Sequence, residues 1–176
     1  RSSDLIYFLN GPNANLYGLN KNGAYGSESF VSIGERCQRR AESHGVVLHF
    51  RQSNHEGVLV DWIQEARQNA AGLIINAAGL TYRSVPILDA LLMFDGPIIE
   101  AHMSNIWKRE PFRHHSMVSK AATGVIAGLG ALGYELAMGR DVVDAESRMG
   151  LPDAATLAHE FARARAQGAT EKWLAP

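Results

Sequence analysis

Cysteine is nearly absent from this 176-residue chain: Cys37 stands alone, which excludes an internal disulfide and a cysteine-rich zinc module. There is no excess of positive charge either. Lys and Arg number 17 against 18 Asp and Glu, a formal net charge of −1, so the strongly basic face of a simple nucleic-acid binder is missing. No apolar run approaches the ~20 residues that a membrane helix needs. The first residues (Arg1, Ser2, Ser3, Asp4) do not read as a signal peptide. Internal repeats and low-complexity linkers are also lacking. These absences predict a soluble, cytoplasmic globular domain with neither nucleic acid nor membrane as partner. Its length suits one domain, able to bury roughly two-thirds of its unfolded surface.

Along the chain, short apolar runs alternate with helical periodicity. Leu5 to Asn10 reads as a strand ending in the turn Gly11-Pro12-Asn13, and the Asn- and Gly-rich stretch that follows to Ser27 is a long loop of the kind that serves as lid or binding loop. A helix is expected from Glu28 to about His44, a second strand over Val46 to Phe50, and a second helix over Glu56 to Ala70 with Leu59, Trp62, Ile63 and Ala66 on one face. Gly72 to Asn76 does not alternate and reads as a strand buried on both sides. Ser84 to Phe94 is a helix with Ser84 as N-cap and Pro86 in its first turn. Pro97 to Ala101 and Gly124 to Ala127 are further strands, the latter followed by a helix through Tyr134 to Met138. The rhythm predicts a parallel sheet with helices on both faces. Ligands bind such sheets outside the carboxyl ends of the strands. Four polar clusters, Asn10 to Asn15, Gln52 to Glu56, Asn76 to Ser84 and His102 to Asn105, should therefore line one edge.

Gly128-Leu129-Gly130-Ala131-Leu132-Gly133 spells GxGxxG between a strand and a helix, as a dinucleotide site demands. That fingerprint belongs in a first βαβ unit, however, and no convincing strand follows here. Close packing of helix on sheet is the plainer reading. A metal site among His102, His114 and His115 is not supported, because adjacent histidines point apart and no HExxH is present. His102, just after a buried strand and preceded by Glu100, is well placed for proton transfer; a hydrogen-bonded structural histidine is the alternative. Arg109 and Arg113 could bind a carboxylate or simply be solvated. Tyr25 lies in the Gly-rich loop. A phenol serving as base near neutral pH needs its pKa lowered from about 10 by two or three units, hence a close cation or a strong donor. Within the loop only Lys21 is available.

Taken together, the blocks LNGPNAN (9–15), AYG (24–26), RQSNHEG (51–57), IINAAGLT (74–81), EAHMSN (100–105), REPFRHHS (109–116) and GVIAGLGALGY (124–134) resemble type II dehydroquinase, the 3-dehydroquinate dehydratase family. The match runs in order from Leu5 to about Met138. It implies a flavodoxin-like α/β three-layer sandwich, a five-stranded parallel sheet in order 2-1-3-4-5, and assembly as trimers and usually dodecamers. The implied activity is a carbon–oxygen lyase that dehydrates 3-dehydroquinate to 3-dehydroshikimate through an enolate, without metal or organic cofactor, in shikimate-pathway biosynthesis or quinate catabolism. Residue by residue, the resemblance makes Tyr25 the base and His102 the acid, with Asn13 binding the water that stabilises the enolate. Asn76 would hold a substrate hydroxyl and orient His102, with Glu100 steadying that imidazole. The Met103 amide and Ser104 would hold the carboxylate and Arg113 a ring hydroxyl; Tyr82 and Asp89 complete the binding set.

Five residues depart from the family's pattern. Asn20 occupies the place of a lid arginine that lowers the phenol's pKa in the family, and Tyr82 with Arg83 replaces a histidine and a small residue. Ala14 replaces a leucine and Val58 an acidic residue. Three readings follow: a dehydroquinase in which Lys21 or Arg83 supplies the missing charge, a relative acting on another cyclic keto or hydroxy acid, or a non-catalytic binder of small acids. Residues 1–138 form the expected catalytic domain. Residues 139–176 are expected to add a helical extension, with Asp153 as N-cap and Ala154, Leu157, Ala158 and Phe161 on one stripe.

Overall fold

A computed structural model describes residues 4–19 and 25–138. Strands β1 (Leu5–Asn10), β2 (Val47–Gln52), β3 (Gly72–Asn76), β4 (Ile98–His102) and β5 (Gly124–Ala127) form one parallel sheet in the order β2-β1-β3-β4-β5. Between them run helices α1 (Phe30–Ser43), α2 (Glu56–Asn69) and α3 (Val85–Leu92), and α4 (Ala131–Ala137) follows β5. The strand order is the expected one. β2 extends two residues past Phe50, because Arg51 and Gln52 still pair with Leu9 and Asn10. β4 begins after Pro97, which has no N–H to donate to a ladder, and it ends on His102, paired with Ala127.

Alternation along β1 divides the core. Ile6 and Phe8 face α1 and α4, packing with Ile33, Cys37, Ala41, Ile74 and Tyr134. Tyr7 and Leu9 face α2 and α3, packing with Leu59, Ile63, Ala66, Ile75, Ile87 and Leu91. α1 starts where the Ser29 side chain accepts from the Ser32 N–H, and α3 where Ser84 accepts from the Ile87 N–H, each satisfying an otherwise orphaned donor.

On the outer side of β1 and β2, the Glu65 carboxylate accepts from Tyr7 Oη at 2.7 Å and from both Arg51 Nη atoms, at 2.8 and 3.1 Å. The Arg51 guanidinium also lies 4.9 Å from the Tyr7 ring centroid and 5.6 Å from that of Trp62. The Arg51 and Tyr7 hydrogen bonds hold Glu65 down at about 2. Burial and the bond to Glu65 push Tyr7 up to about 12. This cluster clamps α2 to the sheet and lies away from the cavity described below.

The glycines of the 128–133 motif serve packing. A Cβ on Gly133 would stand 3.3 Å from Ile126 on β5, and one on Gly128 would stand 2.9 Å from the Asn105 side chain. The expected extension over 139–176 lies outside the described residues, as do Asn20 and Lys21.

Candidate active site

Because the sheet is parallel, the polar clusters after β1, β2, β3 and β4 all sit at its carboxyl edge, and they contact one another there. The Gln52 side chain donates to the Gly11 carbonyl at 3.2 Å, and Asn54 Oδ1 accepts from the Asn13 N–H at 2.9 Å. The β2 cluster is spent on these loop contacts. A narrow cavity opens instead beside β3 and β4, lined by Tyr17, Tyr25, Asn76, Ala78, Tyr82, His102, Met103, Ser104, Arg109 and Arg113. It shares Tyr25, Met103, Ser104 and Arg109 with an outer cavity of about 570 Å³.

Tyr25 reaches this wall from the loop after β1. The feet of that loop meet at Gly18, in the left-handed region at φ 84°. A Cβ there would lie 2.9 Å from the Glu28 backbone, so only glycine lets the two segments touch. Arg36 on α1 fixes the second foot, pairing with Glu28 at 2.7 Å and also with Glu135 on α4. Tyr25 Oη then accepts a hydrogen bond from Arg109 Nη1 at 3.1 Å. Nη1 also donates to Ser104 Oγ at 3.2 Å, and Arg109 Nε lies 3.5 Å from the Glu110 carboxylate. Among the described residues, the cation at the phenol is thus Arg109. Arg83 is exposed and lines neither cavity.

On the other wall His102, at the end of β4, is 5% exposed, and its Nε2 lies 2.6 Å from Glu100 Oε1. Burial alone would push this carboxyl up. Hydrogen bonds from His102, Ser119 and Ser116 outweigh that and hold Glu100 below its ordinary value, so it remains an anion beneath the imidazole. With Nε2 on the carboxylate, Nδ1 is the ring nitrogen left for a ligand. Tyr82 stacks over the imidazole, centroids 6.4 Å apart and planes within 14°. Arg113 lies 5.3 Å from the Tyr82 ring centroid and donates from Nε to Glu110 at 2.7 Å. Burial, the largest influence, pushes the Tyr82 phenol up despite that neighbouring guanidinium.

Asn76, at the end of β3, does not bond to His102 as anticipated. Its Nδ2 donates to Tyr17 Oη at 3.0 Å and to Tyr134 Oη at 2.6 Å, and its Oδ1 accepts from the Ala78 N–H at 3.1 Å. That last bond holds Ala78 at φ 51°, an unusual backbone for a residue with a Cβ. Tyr134 Oη in turn donates to Asn10 Oδ1 at 2.8 Å. The floor of the cavity is a buried polar network joining β1, β3 and α4.

Of the residues singled out in the sequence, Tyr25, Asn76, Tyr82, His102, Met103, Ser104 and Arg113 are brought to one cavity, with Glu100 directly behind. Asn13, Arg83 and Asp89 are exposed and do not line it, and Lys21 lies outside the described residues. Tyr17 is not singled out by the sequence, and Arg109, expected there either to bind a carboxylate or to be solvated, stands at the Tyr25 phenol. The signal for Arg109 was the run Arg109-Glu110, which supplies its own carboxylate anchor. Among the described residues no group of three His, Cys, Asp or Glu side chains could hold a metal ion, and no helix is long and apolar enough to cross a membrane.

Residues 4–142 match the family described as Dehydroquinase class II. A 3-dehydroquinate dehydratase of Cereibacter sphaeroides is 53% identical over 135 residues, covering 77% of this chain and 92% of that protein. Among solved structures, the type II dehydroquinase of Propionibacterium acnes superimposes with a TM-score of 0.74 at 38% identity, over 77% of this chain and 93% of its own. That of Butyrivibrio crossotus gives 0.77 at 36%, over 82% and 99%.

Proposed function

The chain belongs to the class II dehydroquinase family, and from that premise we propose that it dehydrates 3-dehydroquinate to 3-dehydroshikimate, with Tyr25 as base and His102 as acid. Tyr25 Oη takes the proton from the carbon beside the ketone, and the electron pair left behind becomes an enolate. Collapse of the enolate expels the hydroxyl one carbon further on. His102 gives that hydroxyl its proton and it departs as water, leaving a conjugated enone. Proton exchange with solvent then returns Tyr25 and His102 to their starting forms.

The observation that carries this reading is the pairing of each group with the partner its role needs. A base that must become a phenolate has a guanidinium N–H on its oxygen. An acid that must lose and regain a proton has a buried carboxylate under its far nitrogen. Arg109 and Arg113 give the cavity the positive charge that an anionic substrate requires. Ser104 and the Met103 amide take the carboxylate, Arg113 and Tyr82 the ring hydroxyls. Asn13, Arg83 and Asp89 are exposed outside the cavity and take no part in these steps. The catalytic domain in this reading is residues 1–138; the helical extension expected over 139–176 lies outside the described residues. In this reading the protein is cytoplasmic, as its composition suggests, and a trimer-based dodecamer, as the resemblance implies.

The test follows absorbance of the enone as 3-dehydroquinate is consumed. Tyr25→Phe and His102→Ala should each lower kcat by ~10²–10⁴-fold. Turnover unchanged in both variants refutes the assignment, and no turnover in the unmodified chain refutes the substrate.

A further inference from the structure

Tyr17 takes no part in the steps above, yet its place in the cavity wall is closely specified. It follows the short 3₁₀ turn Ala14–Leu16 after β1, is 6% exposed, and lines the inner cavity. Its ring lies against that of Tyr25, centroids 5.0 Å apart and planes 32° apart. Its oxygen accepts one Asn76 amide hydrogen, and burial pushes the phenol up, so the hydroxyl keeps a proton to give. Asn76 has none to spare. Its other amide hydrogen goes to Tyr134, and its Oδ1 already serves Ala78. A hydroxyl that accepts from an amide becomes a stronger donor itself, so the network delivers its polarisation to Tyr17. Tyr134 stands beside the Tyr17 hydroxyl and acts to lower that phenol, while its own hydroxyl donates to Asn10 and its oxygen takes the Asn76 amide.

We infer that Tyr17 is a substrate-binding residue: its hydroxyl, oriented by Asn76, donates to an oxygen of the polyhydroxylated acid, and its ring is the shelf on which Tyr25 rests. The inference depends on the dehydratase reading and adds to it a contact for which Asn76 has no hydrogen left. Two chemical roles reside in one side chain, and two substitutions separate them.

Tyr17→Phe keeps the shelf and removes the donor. KM for 3-dehydroquinate and the calorimetric Kd for quinate should rise together by about five- to tenfold, with kcat within about twofold. Tyr17→Leu removes both and should also lower kcat by about tenfold or more, because Tyr25 loses its support. A purely structural hydroxyl predicts a lower Tm in Tyr17→Phe with KM and Kd unchanged, and that result overturns the inference. A crystal structure of the unmodified chain with quinate decides independently of how the variants fold: Tyr17 Oη should lie within ~3.2 Å of a ligand oxygen, and a separation beyond ~4 Å overturns the contact. If the unmodified chain neither turns over 3-dehydroquinate nor binds quinate, the dehydratase reading fails and takes this contact with it. Turnover combined with an unaffected Tyr17→Phe sinks the contact alone.

Discussion

Replacing Arg109 by Gln removes the positive charge at the phenol and leaves the fold's packing intact. The nearest guanidinium nitrogen is 3.1 Å from Tyr25 Oη, which puts the centre of charge at about 4 Å and its attraction for a phenolate at about 4 kcal/mol for an effective dielectric near 20. Tyr25 is 37% exposed and the Arg109 side chain 22%, so solvent screening reduces this to about 2 kcal/mol. That corresponds to a loss of about 30-fold in kcat. Arg109→Lys keeps a charge and a nitrogen able to donate to both oxygens but loses the Nε contact to Glu110 that positions it, so a loss of about fivefold is expected. Because Ser104 loses its charged partner in Arg109→Gln, KM should rise there as well. Steady-state kinetics of enone formation give both parameters, with circular dichroism and Tm as controls. A folded Arg109→Gln whose kcat is within about threefold of the unmodified chain refutes the reasoning, and the charge must then come from elsewhere.

Two further outcomes concern stability. Glu65 is held at about 2 by Arg51 and Tyr7, so its contribution is full above the ordinary carboxylate value of about 4.5 and disappears as pH falls through about 2. Denaturant titrations should show Glu65→Gln about 1 kcal/mol less stable near neutrality, a figure discounted for its partly exposed side chain. The gap should close between about pH 4.5 and 2, and a gap constant across that window argues against the ion pair. Gly11→Ala would drive a Cβ to 2.5 Å from the Ala77 carbonyl oxygen, where Gly11 N–H also bonds Asn76 O. It should cost about 2–3 kcal/mol and weaken substrate binding by disturbing the Asn76 network. An unchanged unfolding midpoint shows that the loop absorbs the methyl group.

Much of this architecture was legible in the chain. The run Gly72–Asn76 appears where expected, because a fully buried strand must be continuously apolar, and Gly124–Ala127 is found as the partly exposed edge strand. Ser84 caps α3 as its side-chain chemistry dictates. Which polar groups meet at the site was less legible, because loops of irregular backbone decide it. The run 102–116 passes through short 3₁₀ turns that set the Arg109 guanidinium against a tyrosine 84 positions earlier, and no periodicity encodes that meeting. Tyr17 carries no signal in the sequence for a related reason: its neighbours Asn76 and Tyr134 come from the far end of a different strand and from the last described helix. The same holds for Asn76, whose amide is claimed by hydroxyls that a one-dimensional reading could not count.

The partner of the base stands on the body of the protein, while the base itself rides on the segment that covers the cleft. The hydrogen bond at the base therefore depends on two stretches of backbone at once, and a substitution that displaces either one is felt at the same phenol oxygen.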